Sequence, residues 1–259
     1  MAKTKIQWAT DVWNPTVGCT KISAGCKYCY AERIFNRFHP DEKFSEVHCY
    51  QERLDQPLHW EKPRRIFVDS MSDLFHEDIP NDFIAQVWLT MVCSPWHIFM
   101  ILSKRPKRML KIARHPYIGI FERDHNDLPN VWLGVSVEDQ KTADERIPIL
   151  LQTPAAVRFV SVEPMLGPLM IDTYLGDLPE DEDGAPYPGK IDWVICGCES
   201  GPGARPMDLD WARNVRDQCQ AAGVPFFLKQ AVINGKMVKM PELDGKIWAE
   251  YPEIDENRA

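Results

Sequence analysis

Short runs of apolar residues, many of them β-branched, recur along the chain and are separated by polar segments. Because most of the runs are continuous rather than alternating, they predict strands that are buried on both faces, as in a parallel sheet. A shorter first strand is expected near residues 12–17, which brings the number of strands to about seven. The longer predicted strands cover residues 65–69, 97–102, 131–137, 157–162, 191–196 and 225–228.

Several helices are predicted between these runs. Pro80 is expected at a helix start, where proline is tolerated, and Asp208 and Gly223 are expected to cap the last helix. The alternation of strands and helices indicates βαβ units and a parallel sheet. The predicted helices cover residues 80–92, 106–113, 140–151 and 208–222.

The predicted fold is α/β. A chain of 259 residues suits a partial or irregular (β/α) TIM-like barrel of about six to seven parallel strands, formed as one domain over residues 1–259. An open, doubly wound sheet is the alternative, although no Gly-x-Gly-x-x-Gly follows the first strand. The acidic segment 176–190, rich in proline and glycine, is predicted to be an exposed loop.

Composition and charge narrow the classes of function. The apolar fraction of 44% is that of a globular protein, no apolar run is long enough to span a membrane, and residues 1–13 lack the apolar core of a signal peptide. A cytoplasmic location is therefore expected. The net charge of −8 disfavours a protein that coats nucleic acid with its whole surface. The basic cluster 104–111 is either a local patch or the solvated start of a helix.

The main candidate for chemistry is a cysteine loop at residues 18–30, where Cys19, Cys26 and Cys29 are spaced as Cys-x6-Cys-x2-Cys. In a reducing compartment, cysteines serve metals or cores rather than disulfides. Three thiolates on a four-iron cluster leave one iron without a protein ligand. Structural clusters normally take four cysteines, and an open metal position is typical of a catalytic site. The three cysteines are therefore predicted to bind a [4Fe–4S] cluster.

Other interpretations of the cysteines remain open. The Cys-x2-Cys pair could hold zinc, completed by His39, His48 or Cys49. Ordinary core cysteines are disfavoured because the loop is polar. Cys196 and Cys198 are core cysteines or ligands of a second cluster.

The loop resembles the motif of the radical S-adenosylmethionine (SAM) superfamily, which is usually Cys-x3-Cys-x2-Cys with an aromatic residue before the last cysteine. Tyr28 occupies that aromatic position, while the first gap is six residues instead of three. A helix over 30–38 is expected after the loop. More of the chain resembles a phage- and prophage-associated three-cysteine-motif family, through the segments WNPTVGCTKISAGCKYCYAER, FVDSMSDLFHEDIP, LSKRP, LGVSVEDQ, SVEPMLGP, GCESGPGARPMD and FFLKQ.

This resemblance implies a radical SAM-type barrel that binds SAM at the open iron of the cluster. It implies reductive cleavage of SAM to a 5′-deoxyadenosyl radical, hydrogen abstraction from a substrate, and an electron donor such as flavodoxin or ferredoxin. It does not supply the substrate, although the phage association suggests a nucleotide or nucleic acid. The competing hypothesis is a non-catalytic, zinc- or iron–sulfur-stabilised module that binds nucleic acid through the basic cluster 104–111.

Polar residues follow the predicted strands, where barrel enzymes place their active sites. By resemblance, the segment after the second long strand contacts the SAM amino group, and Ser70, Ser72 and Asp73 occupy that place, although the family's Gly-Gly-Glu is absent. Lys104 or Arg105 could hold the SAM carboxylate through a charge-assisted bond.

The later strand ends supply the remaining candidates. Ser136, Glu138 and Glu163 suit ribose hydroxyls, and Gly197 would let the backbone approach the adenine closely. Each of these residues could instead cap a turn or form an internal ion pair. Three further residues are predicted to contact the substrate, namely Glu199, Arg205 and Lys229.

Overall fold

The fold is built around one eight-stranded sheet in a computed structural model, which describes residues 4–115, 128–176 and 184–253. In chain order the strands are β1 (Asp11–Trp13), β2 (Thr16–Val17), β3 (His48–Cys49), β4 (Arg65–Val68), β5 (Ile98–Ser103), β6 (Val131–Val137), β7 (Val157–Val162), β8 (Trp193–Gly197), β9 (Phe226–Ile233), β10 (Lys236–Lys239), β11 (Glu242–Leu243) and β12 (Lys246–Ile247).

The large sheet is mostly parallel and curls into a half barrel. Its spatial order is β1-β4-β5-β6-β7-β8-β9-β10, in which the first seven strands are parallel and β10 is antiparallel to β9. The mixed α/β class predicted from the apolar runs is therefore confirmed. The strands β2 and β3 form a separate antiparallel ribbon, as do β11 and β12.

Five α-helices accompany the strands in the described part of the chain. They are α1 (Tyr30–Phe38), α2 (Asn81–Val92), α3 (Pro106–Ala113), α4 (Gln140–Leu151) and α5 (Leu209–Ala221). Side-chain caps fix the starts of two of these helices. Asp139 caps α4 by accepting a hydrogen bond from the Thr142 amide, and Asp208 caps α5 rather than belonging to it, as a short polar side chain does at a helix start.

The first strand differs from its prediction. Residues 12–17 do not form one strand, because the segment divides at Asn14 and Pro15 into β1 and β2. Pro15 has no amide hydrogen to give to a sheet, and its carbonyl instead accepts a hydrogen bond from the Tyr50 amide. β1 stays in the large sheet, while β2 turns away to pair with β3.

The last long strand also differs from its prediction. β9 runs beyond residue 228 to Ile233 and returns as β10 through a turn at Asn234 and Gly235, both with positive φ. Such a turn is favoured in two-residue hairpins. The polar residues Lys229 and Gln230 interrupt the apolar run although they lie within the strand. The segment 177–183, which is part of the predicted acidic loop, lies outside the described residues.

The two faces of the sheet have different neighbours. Outward residues of β6, such as Leu133, pack in one core with α4 residues such as Ile147. The concave face carries a second, aromatic core that includes Trp132, Phe159, Trp193 and Phe227, with Trp8 packed onto it. Each such side chain contributes about 1.5–3 kcal/mol through burial. This aromatic core forms the floor of the half barrel.

No helix in the described ranges is both long enough and apolar enough to cross a membrane.

Candidate functional site

A cavity of about 520 Å³ lies above this floor, at the carboxyl ends of the parallel strands. The strand ends supply polar side chains such as Ser103, Ser136 and Ser161 to its wall, and the cysteine loop (residues 18–30) supplies the opposite wall. Parallel strands all end at the same edge of a sheet, so polar residues that are distant in the sequence meet there.

Backbone contacts hold the cysteine loop against the sheet. The Gly18 amide donates to the Met71 carbonyl (3.0 Å), and the Ser72 hydroxyl donates to the Gly18 carbonyl (2.7 Å). Gly18 has a φ of +105°, and a Cβ there would overlap the Glu46 carbonyl. The position therefore requires glycine. The loop ends at Cys29, which is the N-cap of α1.

All three cysteines of the loop are free thiols, partly buried, and line the cavity. Burial and the Asp73 carboxylate raise the pKa of the Cys19 thiol to about 11, although Arg105 lies 3.6 Å from its sulfur. Burial also acts to raise the pKa of Cys26, but the Lys104 ammonium and hydrogen bonds to the sulfur outweigh it and lower that pKa. Cations therefore stand beside two of the three sulfurs.

Across the described ranges, no group of three or more His, Cys, Asp or Glu side chains is placed to hold a single metal ion. The zinc site considered for the Cys-x2-Cys pair with His39, His48 or Cys49 is thus not formed. His39 stacks on Phe35, and Cys49 is exposed on β3.

Ion pairs connect the strand ends around the cavity. Four carboxylates have a cationic partner: Asp73 with Arg105 (3.1 Å), Glu138 with Lys104 and Arg146 (3.2 Å), Glu163 with Lys229 (2.6 Å), and Glu199 with Arg205 (2.9 Å).

Asp73 is saturated by internal contacts. Its carboxylate accepts hydrogen bonds from the Ser103 hydroxyl (2.8 Å), the Lys104 amide (3.0 Å) and the Phe75 amide (3.0 Å), in addition to Arg105. It lines the cavity, but its oxygens already tie the end of β4 to the end of β5. The structure therefore gives Asp73 an organising role in the free protein.

Glu138 is fully buried and lies beneath the cysteine loop rather than on the cavity wall. It accepts a hydrogen bond from the Ser23 hydroxyl (2.7 Å), and a Cβ at Gly25 would overlap its side chain. Burial acts to raise the pKa of the Glu138 carboxyl, but Lys104 and Arg146 hold it below its ordinary value. Glu138 is thus a buried carboxylate that supports the cysteine loop from below.

Arg205 is another link to the loop. It pairs with Glu199 and donates to the Ala24 carbonyl (3.0 Å). Gly197 is buried in β8, where a Cβ would lie 3.3 Å from the Glu163 carboxyl carbon. Neither Arg205, Gly197 nor Glu138 is among the residues that line the cavity. The predicted site residues that do line it are Cys19, Cys26, Cys29, Ser70, Ser72, Asp73, Lys104, Ser136, Glu163, Glu199 and Lys229.

The cysteine pair at 196 and 198 and the basic cluster 104–111 do not form separate binding sites among the described residues. Cys196 and Cys198 are both buried in the outer core, with the Cys196 sulfur 3.7 Å from that of Met165, which is the packing of core cysteines. The basic cluster 104–111 is divided, since Lys104 and Arg105 make ion pairs at the cavity while Lys107 and Lys111 are exposed.

Sequence reasoning missed Asp69, which it assigned to a strand. Asp69 is 3% exposed, has a φ of +56° and lines the cavity. Its Oδ1 accepts from the Thr16 amide (3.0 Å), while Oδ2 has no partner among the described residues. Burial raises its pKa to about 7. The only signal in the sequence was a carboxylate closing a buried apolar run.

Ser161 is another strand-end residue of the cavity with an unused polar atom. It lies on β7, is 1% exposed, and its hydroxyl lacks a hydrogen-bond partner within the described ranges. A buried polar atom without a partner is costly. Asp69 and Ser161 are therefore strand-end groups of the cavity with free capacity for a ligand, and Oε1 of Gln7 and Nε1 of Trp8 are two further lining atoms without a partner among the described residues.

Comparison with protein families shows the family of the chain. The model described as "Protein of unknown function (DUF5131)" matches residues 3–252, so the chain belongs to this family. Comparisons with curated proteins and with solved structures find no match.

Proposed function

We propose that this DUF5131 protein is a radical SAM-type enzyme with a partial TIM-like barrel. In this proposal Cys19, Cys26 and Cys29 hold a [4Fe–4S] cluster, and the cavity beside them binds SAM and a substrate. An electron donor such as flavodoxin or ferredoxin would be the partner.

The observation that carries the proposal is the convergence of two features on one cavity. Three free thiols of a single pinned loop line one wall, and polar strand-end residues, two of them with unused polar atoms, line the other. Buried polar atoms are normally satisfied, so these two atoms favour a bound ligand at the place where the thiols would hold a metal group.

The donor set suits a cluster better than a single ion. A tetrahedral zinc ion with bonds of about 2.3 Å draws its ligands close together. Among the described residues, no set of three or more His, Cys, Asp or Glu side chains is placed in this way. In a cluster each thiolate binds a different iron, so the sulfurs stand farther apart. Lys104 and Arg105 would offset the negative charge of three thiolates, and binding would release the thiol protons.

When bound, the cluster and SAM would together supply one-electron cleavage of a carbon–sulfur bond and hydrogen abstraction from the substrate. The chain's own residues position and shield this chemistry. The aromatic floor, whose Trp8 and Phe67 line the cavity, excludes water from below. Oδ2 of Asp69 can accept a hydrogen bond from an N–H group of SAM, and the Ser161 hydroxyl can form a hydrogen bond with a ligand hydroxyl. Asp69 thereby takes the place first given to Asp73.

The ion pairs have a separate part in this proposal. Lys229 and Glu163 face the cavity together, and Gln230 donates to Glu163 (3.2 Å). A charged group of the substrate could replace one member of this pair, whereas a neutral group that displaced it would leave the other charge uncompensated. Glu199 and Arg205 similarly link the cavity wall to the loop.

The proposal is tested by anaerobic reconstitution with iron and sulfide. The wild-type protein should bind about four irons per chain, and with dithionite and SAM it should release 5′-deoxyadenosine. Alanine at Cys19, Cys26 or Cys29 should abolish iron binding. Cys93→Ala is the matched control, because Cys93 is an exposed free thiol outside the cavity. Stoichiometric zinc without iron in the reconstituted protein would refute the proposal.

A further inference from the structure

Three lysines gather on the side of the cavity formed by the two ends of the described chain. Lys5 precedes β1, while Lys229 and Lys239 lie on the β9–β10 hairpin, and all three line the cavity. The Lys239 ammonium donates to the Lys5 carbonyl (2.7 Å), and the Met240 amide donates to the Lys229 carbonyl (2.8 Å). The fold therefore holds these residues together.

The positive charge of this lysine trio is only partly balanced. Lys229 pairs with Glu163, but neither Lys5 nor Lys239 forms an ion pair within the described ranges. Burial together with the charges of Lys229 and Lys5 lowers the pKa of Lys239. In a chain of net charge −8, a site that keeps two unpaired ammonium groups beside a cavity suits an anionic ligand.

The exposure of the trio separates it from the deeper polar groups. Lys5 and Lys239 are exposed at the mouth, whereas Asp69 and Ser161 are buried in the wall. Lysine is a point-charge donor that binds phosphate oxygens through charge-assisted hydrogen bonds. A ligand held by the trio would thus keep its anionic group at the mouth while its remainder enters the cavity.

We propose that Lys5, Lys229 and Lys239 bind a phosphate group of the substrate, so that the substrate is a phosphate-bearing molecule such as a nucleotide or a polynucleotide. This inference rests on the proposed function in one respect, which is that the bound molecule is the substrate of an enzyme. The binding of phosphate by the lysines requires neither the cluster nor SAM. A nucleotide and a polynucleotide would both present a phosphate group to the lysines, and the test below distinguishes between them.

The test measures dissociation constants of the full-length protein without SAM. The probes are adenosine, adenosine 5′-monophosphate and a short single-stranded oligoadenylate, at several salt concentrations. The wild-type protein should bind a phosphate-bearing probe about tenfold or more tightly than adenosine. The Lys5→Gln, Lys239→Gln double variant should lose this difference.

Lys236→Gln is the matched control. Lys236 lies on the same strand as Lys239, carries the same charge and is exposed, but it does not line the cavity. Its affinity for every probe should stay that of the wild type. If the monophosphate binds tightly, the source is a nucleotide. If only the oligonucleotide does, with a salt dependence that weakens in the double variant, the source is a polynucleotide.

Two results would overturn the inference. One is equal affinity for adenosine and both phosphate-bearing probes. The other is a double variant that loses SAM binding by the cluster-loaded protein while keeping its affinity for phosphate, since the lysines would then serve the SAM carboxylate. A protein that cleaves SAM but does not bind the phosphate-bearing probes more tightly than adenosine would refute this inference and leave the proposed function intact.

Discussion

At the scale of single residues, the cavity divides its polar groups into those that are satisfied and those that are not. Asp73 and Ser136 have partners in the free protein, whereas Oδ2 of Asp69 and the hydroxyl of Ser161 have none among the described residues. Sequence position cannot separate these groups, because all of them lie near the carboxyl end of a strand. The distinction arises only when neighbouring strands bring partners within hydrogen-bond distance.

Asp69 makes stability depend on pH in a direction opposite to that of an ordinary carboxylate. Its pKa rises from 3.8 to about 7 on folding, chiefly through burial. Between these values the folded state keeps a proton that the unfolded state has lost, so the free energy of unfolding falls as pH rises and then levels off above about 7. Below pH 3.8 the Asp69 carboxyl is protonated in both the folded and the unfolded state, so its burial as a charge no longer lowers the free energy of unfolding.

Asp69→Asn should therefore remove this penalty. Between about pH 5 and pH 8, the stability of the wild type relative to the variant should fall by up to roughly 3 kcal/mol, measured by urea unfolding. Asparagine tolerates the positive φ and can still accept from the Thr16 amide. A stability difference that is the same at both pH values would contradict the raised pKa.

Ser136 and Ser161 form a matched pair for a second test, since they are register partners on β6 and β7. The Ser136 hydroxyl donates to the Glu163 carbonyl (3.0 Å), whereas the Ser161 hydroxyl has no partner within the described ranges. Ser136→Ala should destabilise the protein by about 1 kcal/mol, and Ser161→Ala should stabilise it by up to about 1 kcal/mol. Urea unfolding without ligand decides this, and destabilisation by both variants would show that Ser161 is satisfied.

At the scale of elements, the cysteine loop depends on contacts that a sequence pattern does not carry. The bounds of α3 and α4 were predictable because the proline that begins α3 and the capping aspartate that precedes α4 are local signals. The two-residue strands β2 and β3 were not, since they exist only by pairing across the chain. The same holds for the lysine trio, which joins residues from opposite ends of the described chain.

Gly25 shows how closely the loop fits. A Cβ there would overlap Glu138, which cannot move aside because Lys104 and Arg146 hold it. Gly25→Ala should cost roughly 1–3 kcal/mol by overpacking and should lower the iron content after reconstitution. Gly167→Ala is the control, because nothing lies within 4 Å of a Cβ at that position. Equal iron content and equal unfolding midpoints in the two variants would show that the loop adapts freely.

At the scale of the whole molecule, the half barrel separates stability from chemistry. Its aromatic floor is built from inward residues such as Trp132 and Trp193, and its polar rim from the residues that end the same strands. The apolar runs in the sequence predicted the mostly parallel sheet, and hence the edge where the polar groups gather, but not its antiparallel eighth strand β10. They could not predict that Glu138 and Arg205 support the loop from outside the cavity, because this depends on how the loop folds back over the strand ends.

The same architecture predicts how ligand binding affects global stability. The cavity is lined by segments from near both ends of the described chain, by the cysteine loop and by the strand ends, all of which separate on unfolding. A ligand that binds only the folded state adds about 2.7 kcal/mol at a hundredfold excess over its dissociation constant. SAM should therefore stabilise the anaerobic, cluster-loaded protein by this amount in urea unfolding. The gain should largely disappear in Cys26→Ala, which would lack the iron site, and should persist in Cys93→Ala. Equal stabilisation of both variants by SAM would place its binding outside the cysteine loop and would contradict the open-iron proposal.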